Sequence, residues 1–355
     1  MPEGTAIATP PAAHDFARLT DPYRRELLVH CYRMVGSMHD AEDLVQDVYL
    51  RAWRGFGGFE GRASLRTWLY RIATRTCLTA LESRGRRPLP SGLGAPSDSP
   101  EVPVVASGPE VSWLEPLPDD PAEIVAARQS TRLALIAALQ HLPPRQRAVL
   151  ILRDVLRWRA AEVAALLDTT TAAVNSALQR ARAQLDAAAP AEDQLVEPAD
   201  PRLRSLLDRY AAAFETSDIP ALMLLLAEEA GWEMPPFPQW FVGRGDIARL
   251  ISTQCPAGPG DLRMIPLTAN GQPAFAVYLR SDDHVFRAFQ LQVLTATPAE
   301  VTHVTTFFDV TLFPKFGLPT ELAGARGPLG TRAAPAPAAS RAAPAPPTAR
   351  KAGGR

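Results

Sequence analysis

The sequence predicts a multidomain protein: two all-α domains, then an α+β domain built on a curved antiparallel sheet. Three observations predict it. Apolar residues recur at helical spacing over residues 16–87 and again over 122–189. Between these blocks Pro, Gly, Ser and acids dominate residues 88–121, which is linker composition. After residue 202 a short helical opening gives way to Ala274–Leu279, Val285–Leu294 and Val301–Leu312, runs rich in β-branched and aromatic residues. At 355 residues the chain has room for two or three domains, and a hydrophobic content of 46% suffices for ordinary cores.

The division expected is an unordered N-terminus over 1–14, a helical domain over 15–88 and an acidic Pro-rich linker over 89–127. A second helical domain follows over 128–189, a second linker over 190–201, and the α+β domain over 202–322. An unordered basic Ala/Pro tail over 323–355 ends the chain.

The formal net charge of −1 conceals a segregation. Basic residues, nearly all Arg, crowd into residues 62–87 with Glu82 as the single opposing acid. Residues 98–123 carry acids and no basic residue, and residues beyond 324 carry Arg and Lys and no acid. Such alternation suits a chain whose separate parts meet nucleic acid and protein. Cys31, Cys77 and Cys255 are far apart, odd in number and form no CxxC pair, which argues against a disulfide framework and a zinc finger. No apolar run reaches membrane-spanning length and no secretory leader is legible, so a cytoplasmic protein without a membrane partner is expected. No metal and no cofactor is expected.

In the first block, DAEDLVQDVYLRAW (Asp40–Trp53) places Ala41, Leu44, Val45, Val48 and Ala52 on one helix face and Asp40, Asp43 and Asp47 on another. The apolar face is core, and Asp40 is expected to cap the helix start. The acidic stripe reads either as a solvated face or as a docking surface. A Gly-rich loop holding Phe56 and Phe59 follows, and Ser64 then caps a helix to about Arg84. Its expected inner face is Leu65, Leu69, Ile72, Thr76 and Ala80, with Thr67, Arg71, Thr74 and Arg75 opposite. Arginines beside Trp68, Tyr70, Phe56 and Phe59 are what an opened DNA strand requires: guanidinium groups neutralise phosphates and aromatic faces accept unstacked bases. Core aromatics with solvating arginines is the competing reading.

The second block holds HLPPRQR, a helix end and a new start with Pro in the first turn. Helices are expected over Arg145–Arg153, Ala160–Leu167 and, after Asp168-Thr169-Thr170, over Thr171–Ala187. The last has Val174, Ala177, Leu178, Ala181 and Leu185 inward and Ala173, Asn175, Ser176, Gln179, Arg180 and Arg182 outward. Two short helices, a polar turn and a helix offering amide and guanidinium groups follow the helix-turn-helix plan, in which Asn and Gln pair with adenine edges and Arg with guanine edges or phosphates.

DAEDLVQDVYLRAW, the Gly/Phe loop and SLRTWLYRIATR, in that order, resemble region 2 of the sigma-70 family of RNA polymerase sigma factors. LPPRQRAVLILRDVLRWRAAEVAALLDTTTAAVNSALQRARAQL resembles region 4. A region 2 and a region 4 with no region 3 between them is the arrangement of the extracytoplasmic-function subfamily. The resemblance implies a transcription initiation factor, not an enzyme, that binds core RNA polymerase and promoter DNA. It assigns docking on the β′ clamp coiled coil to Asp40, Glu42, Asp43, Asp47 and Arg51. Recognition and melting of the −10 element fall to Phe59, Arg62, Ser64, Arg66, Thr67, Trp68, Arg71 and Arg75. Recognition of the −35 element, beside the β flap, falls to Thr171, Asn175, Ser176, Gln179, Arg180 and Arg182. Asp168 stands where the family commonly has a turn glycine, and Asn175 and Ala177 stand where Lys and Arg are usual, so an unusual −35 preference is expected. The linker of that group threads the RNA exit path; a solvated spacer fits this composition equally. WLEPLP (Trp113–Pro118) is too apolar for a plain spacer and is expected to dock.

The third block opens with two expected helices, LLDRYAAAFETSD and IPALMLLLAEEA, then a stretch holding Trp232, Met234, Phe237 and Trp240, and a helix from Gly243 to about Thr253. The segments AAAFETSDIPALMLLLAEEAGWEMPP, FVGRGDIARLI and ANGQPAFAVY resemble the SnoaL-like cone, an α+β fold with a curved antiparallel sheet. In sigma factors such a fused domain is thought to tune activity in place of a separate anti-sigma protein. A small-molecule ligand or an anti-sigma protein is therefore the further partner expected, with Glu215, Trp232, Trp240 and His303 as pocket candidates. Some cones are enzymes using an acid and a His; Asp218, Glu233, His284 and Asp309 join Glu215 and His303 as candidates for that weaker reading, and no spacing among them dictates chemistry.

Overall fold

The computed structural model describes residues 13–61, 63–83, 85–120, 130–188 and 200–322. The expectations placed on residues before Ala13, on Arg62, on most of the second linker and on the tail lie outside the described residues.

Four helices build the first domain: α1 (Ala13–Thr20), α2 (Arg24–Val35), α3 (Met38–Gly55) and α4 (Leu65–Glu82). Gly36 ends α2 in the left-handed region (φ 71°), and a Cβ there would stand 3.0 Å from the Gln140 side chain. Ser37, not Asp40, caps α3: its extended backbone lets Oγ accept from the Asp40 N–H at 3.1 Å. Asp40 instead sits inside the first turn, where a carboxylate suits the positive helix end. Ser64 caps α4 as expected, accepting from the Thr67 N–H at 3.1 Å. The buried face of α4 differs from the expected one. Tyr70, Ala73, Thr74 and Cys77 are buried with Leu69 and Thr76, whereas Leu65, Ile72 and Ala80 are half-buried. The cause is that α4 packs on α2 and α3 and also on the second helical domain, so its buried arc is wider than one neighbour would give. Thr74, expected outward, meets the buried His30 ring at 3.0 Å.

The second domain comprises α5 (Leu133–Gln140), α6 (Pro144–Leu150), α7 (Ala160–Leu166) and α8 (Thr171–Ala188). Pro144 opens α6, and the chain runs on from α6 through a π-helical turn to Val155. The two helical domains pack into one core. Arg147, buried and with its pKa lowered to about 10 by burial, donates to the carbonyls of Gln140 and Leu142, to Gln140 Oε1 at 2.7 Å, and to the Met34 carbonyl at the end of α2. One guanidinium thereby joins the second domain to the first.

The third domain holds α9 (Pro201–Glu215), α10 (Ile219–Met223), β1 (Leu226–Glu233), β2 (Trp240–Val242), α11 (Arg244–Gln254), β3 (Leu262–Ala269), β4 (Gln272–Arg280), β5 (Phe286–Ala296), β6 (Val301–Phe307), α12 (Leu312–Lys315) and β7 (Glu321–Leu322). The sheet runs β2-β1-β6-β5-β4-β3, with β7 on the start of β5. Its pairs are antiparallel except β1 with β6, which are parallel. The helix expected over IPALMLLLAEEA stops at Met223, and LAEEAGWE is strand β1. Pairing on both sides, with β2 and β6, outweighs the helix propensity of its Ala and Glu residues.

The two faces of the sheet have different partners. Trp232, Phe241, Met264, Phe275, Val277, Leu294 and Val304 face α9, α10 and α11 and form the cone core. Ala274, Ala276, Tyr278, Leu291 and Val293 belong to the core shared with both helical domains. The linker lies in that second interface: Leu114 and Leu117 are buried, so the WLEPLP segment docks as its apolar content requires.

Candidate functional site

The acidic helix α3 divides its carboxylates into two sets. Asp43 and Asp47 are exposed, with Arg51 beside them. Leu50 and Trp53 stand out from the same helix at 54% and 41% exposure, large apolar groups left uncovered next to the acids. Neither belongs to the apolar core face or to the acidic stripe that helical spacing distinguishes on α3. Asp40 and Glu42 are engaged. Asp40 Oδ2 accepts from Arg87 Nη2 at 2.6 Å, and Glu42 pairs with Lys315, which arrives from α12 of the third domain. Glu115 of the linker accepts from the Ser37 hydroxyl at 2.9 Å and the His39 N–H at 3.1 Å, closing over the start of α3.

On α4, Trp68 stacks obliquely with Phe59 (centroids 5.1 Å apart) and Phe56 (6.2 Å), so the Gly/Phe loop and the helix present one aromatic cluster. Ser64 and Thr67 join hydroxyls at 2.9 Å at the helix start. Arg66 is held by both oxygens of Glu26, at 3.0 and 2.9 Å, and lies over the Tyr70 ring. Arg71 and Arg75 both reach Asp168, at 3.8 and 2.5 Å. Asp168 is the turn residue between α7 and α8, and its φ of 51° puts it in the left-handed region where glycine is at ease. The family departure noted in the sequence is thus a residue that joins the turn of the second domain to the cationic helix of the first.

Helix α8 is exposed along Thr171, Asn175, Ser176, Gln179 and Arg180, and buries Val174, Leu178 and Ala181. Thr170 Oγ1 accepts from the Ala173 N–H at 3.1 Å and caps it. Arg182 is bidentate to Asp154, at 2.8 and 2.7 Å. The amide and guanidinium groups therefore stand together on one open face, as the spacing predicts.

The four pocket candidates of the third domain are not brought together. Trp232 is in the cone core, stacked 6.0 Å from Phe214. Glu215 accepts from the Met264 N–H at 2.8 Å. Trp240 and His303 lie on the opposite face of the sheet. There His303 Nε2 stands 2.7 Å from Oε1 of the buried Glu233. Asp218 caps α10 by accepting from the Ala221 N–H, Asp309 accepts from Thr311, and His284 occupies a turn at φ 61°. Among the described residues no cluster of His, Cys, Asp and Glu could hold a metal ion, and no helix is long and apolar enough to cross a membrane.

The residue that unites all parts is Asn270, buried at the tip of the β3–β4 hairpin in the left-handed region (φ 57°). Its Nδ2 donates to the Tyr32 hydroxyl at 2.8 Å and the Thr131 carbonyl at 2.6 Å, and its Oδ1 accepts from the Leu117 N–H at 2.8 Å. Tyr32 passes the contact on, donating to the Glu115 carbonyl at 2.7 Å, and burial raises its pKa above the ordinary tyrosine value. Gly271 N–H donates to Asp119 at 2.8 Å, and Gln272 Oε1 accepts from the Leu133 N–H at 2.9 Å. An Asn-Gly pair suits a two-residue hairpin turn, in which both residues take a positive φ.

Residues 19–87 match the family described as Sigma-70 region 2, and residues 132–185 match Sigma-70, region 4. The chain is 60% identical over 316 residues to the ECF RNA polymerase sigma factor SigG of Mycobacterium tuberculosis, covering 87% of this chain and 85% of that protein. It is 31% identical over 205 residues to the ECF RNA polymerase sigma factor SigJ of the same organism, covering 57% of this chain and 59% of that one. The crystal structure of M. tuberculosis SigJ superposes with a TM-score of 0.56 at 22% identity, covering 86% of this chain and 99% of that one, a likeness of fold.

Proposed function

Since the chain belongs to the extracytoplasmic-function RNA polymerase sigma factors, we propose that it acts by opening from a closed state in which its third domain and linker hold regions 2 and 4 together. The protein is an initiation factor that binds core RNA polymerase and directs it to specific promoters. In the proposed reading Asp43, Asp47 and Arg51, with Leu50 and Trp53, form the face that docks on polymerase. Apolar groups ringed by charge are what a protein interface offers. Asp40 belongs to that helix, and Glu42 joins the face once Lys315 leaves it. Phe59, Ser64, Thr67, Trp68, Arg71 and Arg75, with Arg62, receive the −10 strand, and Arg66 holds the helix through Glu26. Thr171, Asn175, Ser176, Gln179, Arg180 and Arg182 read the −35 element. The candidate acids Glu215, Asp218 and Asp309 already accept from backbone N–H groups as strand and turn partners or caps, which supports a regulatory rather than a catalytic third domain.

The observation that carries this reading is that the docking face and the −10 face are each engaged within the chain itself: Glu42 by Lys315, and Arg71 and Arg75 by Asp168. The experiment is equilibrium binding to core polymerase, with run-off transcription, for the full chain and for Lys315→Ala. Tighter core binding by Lys315→Ala is expected. Equal affinity and equal transcript yield would remove Lys315 as a restraint.

A further inference from the structure

We propose that the crevice between α5 and the outer face of the sheet is a binding site for a flat, uncharged small molecule carrying a hydroxyl group on one edge.

The crevice measures about 680 Å³, within the range of sites that enclose drug-sized ligands. Three separate parts wall it: the linker at Pro88–Gly92, α5 with the His141 that follows it, and strands β1, β2, β4, β5 and β6. Ala134, Ala137 and Ala138 lie three and four residues apart on α5, so that wall is flat and apolar, and Val293 faces it from the sheet. Trp240 closes one end, held by its indole N–H donating to the Gly94 carbonyl at 2.9 Å. A thin ring system matches two such walls better than a branched or globular one.

The polar edge sets the charge of the ligand. Glu233 is 2% exposed, and both its oxygens are engaged, by His303 Nε2 at 2.7 Å and by the Ser91 N–H at 2.9 Å. Gly231 gives the imidazole its place: a Cβ there would lie 2.3 Å from His303 Nδ1. A buried carboxylate repels an anion strongly where water is excluded. Against a cation stands Arg86, whose guanidinium lies 2.9 Å from Nδ1 of the lining His141 and donates to the Gly92 carbonyl, so neither sign of charge is favoured. Beside Glu233 in register stands Thr305, 2% exposed, whose hydroxyl has no hydrogen-bond partner among the described residues. That hydroxyl opens on the crevice, where a ligand hydroxyl would replace its contact with water by a direct hydrogen bond. This site lies on the far side of the sheet from the cone interior, which Tyr210, Phe214, Trp232 and Phe275 fill.

The test uses the full chain and 2-naphthol, titrated by fluorescence, with 2-naphthoate as the charged control. One saturable site for 2-naphthol is expected, weakened by about ten-fold or more in Ala134→Trp, which fills the crevice, and by roughly five-fold in Thr305→Val, which removes the hydroxyl at constant shape. The naphthoate should bind about ten-fold more weakly than the naphthol, and Glu233→Gln should close most of that gap. Absence of saturable naphthol binding overturns the proposal, as does an affinity unchanged in both Ala134→Trp and Thr305→Val. Naphthoate binding as tightly as naphthol overturns the charge assignment. Should Ala134→Trp fail to fold, Thr305→Val and the naphthol/naphthoate ratio of the unaltered chain decide the matter.

Discussion

The side-chain amide of Asn270 lies 2.8 Å from the hydroxyl of Tyr32, and this contact ties a hairpin of the third domain to a core tyrosine of region 2. The same side chain bonds the linker at Leu117 and the entry to region 4 at Thr131. Asn270→Gly tests it cleanly, since glycine keeps the left-handed backbone and deletes only the amide. The variant leaves the Leu117 N–H buried without its partner, at about 1–3 kcal/mol, and removes the bond to the Thr131 carbonyl. Hydrogen exchange of the Leu117 amide should therefore speed up by about ten-fold or more, and proteases should cut the linker sooner. Unchanged exchange would mean that the hairpin is not what holds the linker down.

Asp168→Gly separates the ion pairs from the turn they spring from. Stability should barely move, because the Asp168 and Arg75 side chains are 72% and 46% exposed and such pairs contribute about 0–1 kcal/mol. Glycine also relieves the strained φ. DNA binding should respond more than stability. With Arg71 and Arg75 released, affinity for a single strand carrying the −10 element should rise and its salt dependence should steepen by about one to two ions. Filter binding over a salt series reads both quantities. An identical salt slope would take the two arginines out of the strand path.

Arg180 stands on the open face of α8 without a partner inside the described residues, unlike Arg182, which Asp154 holds. Arg180→Ala should weaken binding to a −35 duplex by roughly 1–3 kcal/mol and relax selectivity at one base pair. Arg182→Ala should reduce affinity more evenly across sequences. Binding to a set of singly substituted duplexes distinguishes the two, and a uniform loss for Arg180→Ala would recast it as a phosphate contact.

The α4 cap and the helical spacing of α8 were legible in the sequence because they depend on local signals, whereas the α3 cap fell on Ser37 and not on Asp40. Ser64 and the 3.6-residue spacing of Val174, Leu178 and Ala181 needed no knowledge of neighbours. Thr74 and Leu226 went astray for the opposite reason. A second packing partner buries the one, and strand pairing from residues about 75 positions away claims the other. The residues assigned to docking came from a motif resemblance; Lys315 and Asn270 carried no such signal, since a lysine in a short helix and an Asn-Gly turn look alike whether they face water or another domain. Asp168 was visible as a departure from the family, yet only the fold shows Arg71 and Arg75 meeting it.

Buried His30 makes region 2 sensitive to acid. Burial, reinforced by Arg33 and Arg66, lowers its pKa to about 3, so the folded chain keeps the ring neutral while the unfolded chain protonates it near its ordinary value. Between those two values the unfolded state binds more protons, and stability falls as the pH drops below about 6.5. At about 1.4 kcal/mol per pH unit, acidification from pH 6.5 to pH 5 should remove roughly 2 kcal/mol. The ring also meets the Thr74 hydroxyl at 3.0 Å, so the neutral replacement must keep a polar group there. His30→Gln should be less stable than the unaltered chain at pH 7.5, yet lose less on going to pH 5. Thermal unfolding followed at both pH values gives the comparison, and parallel losses in the two proteins would place the acid sensitivity elsewhere.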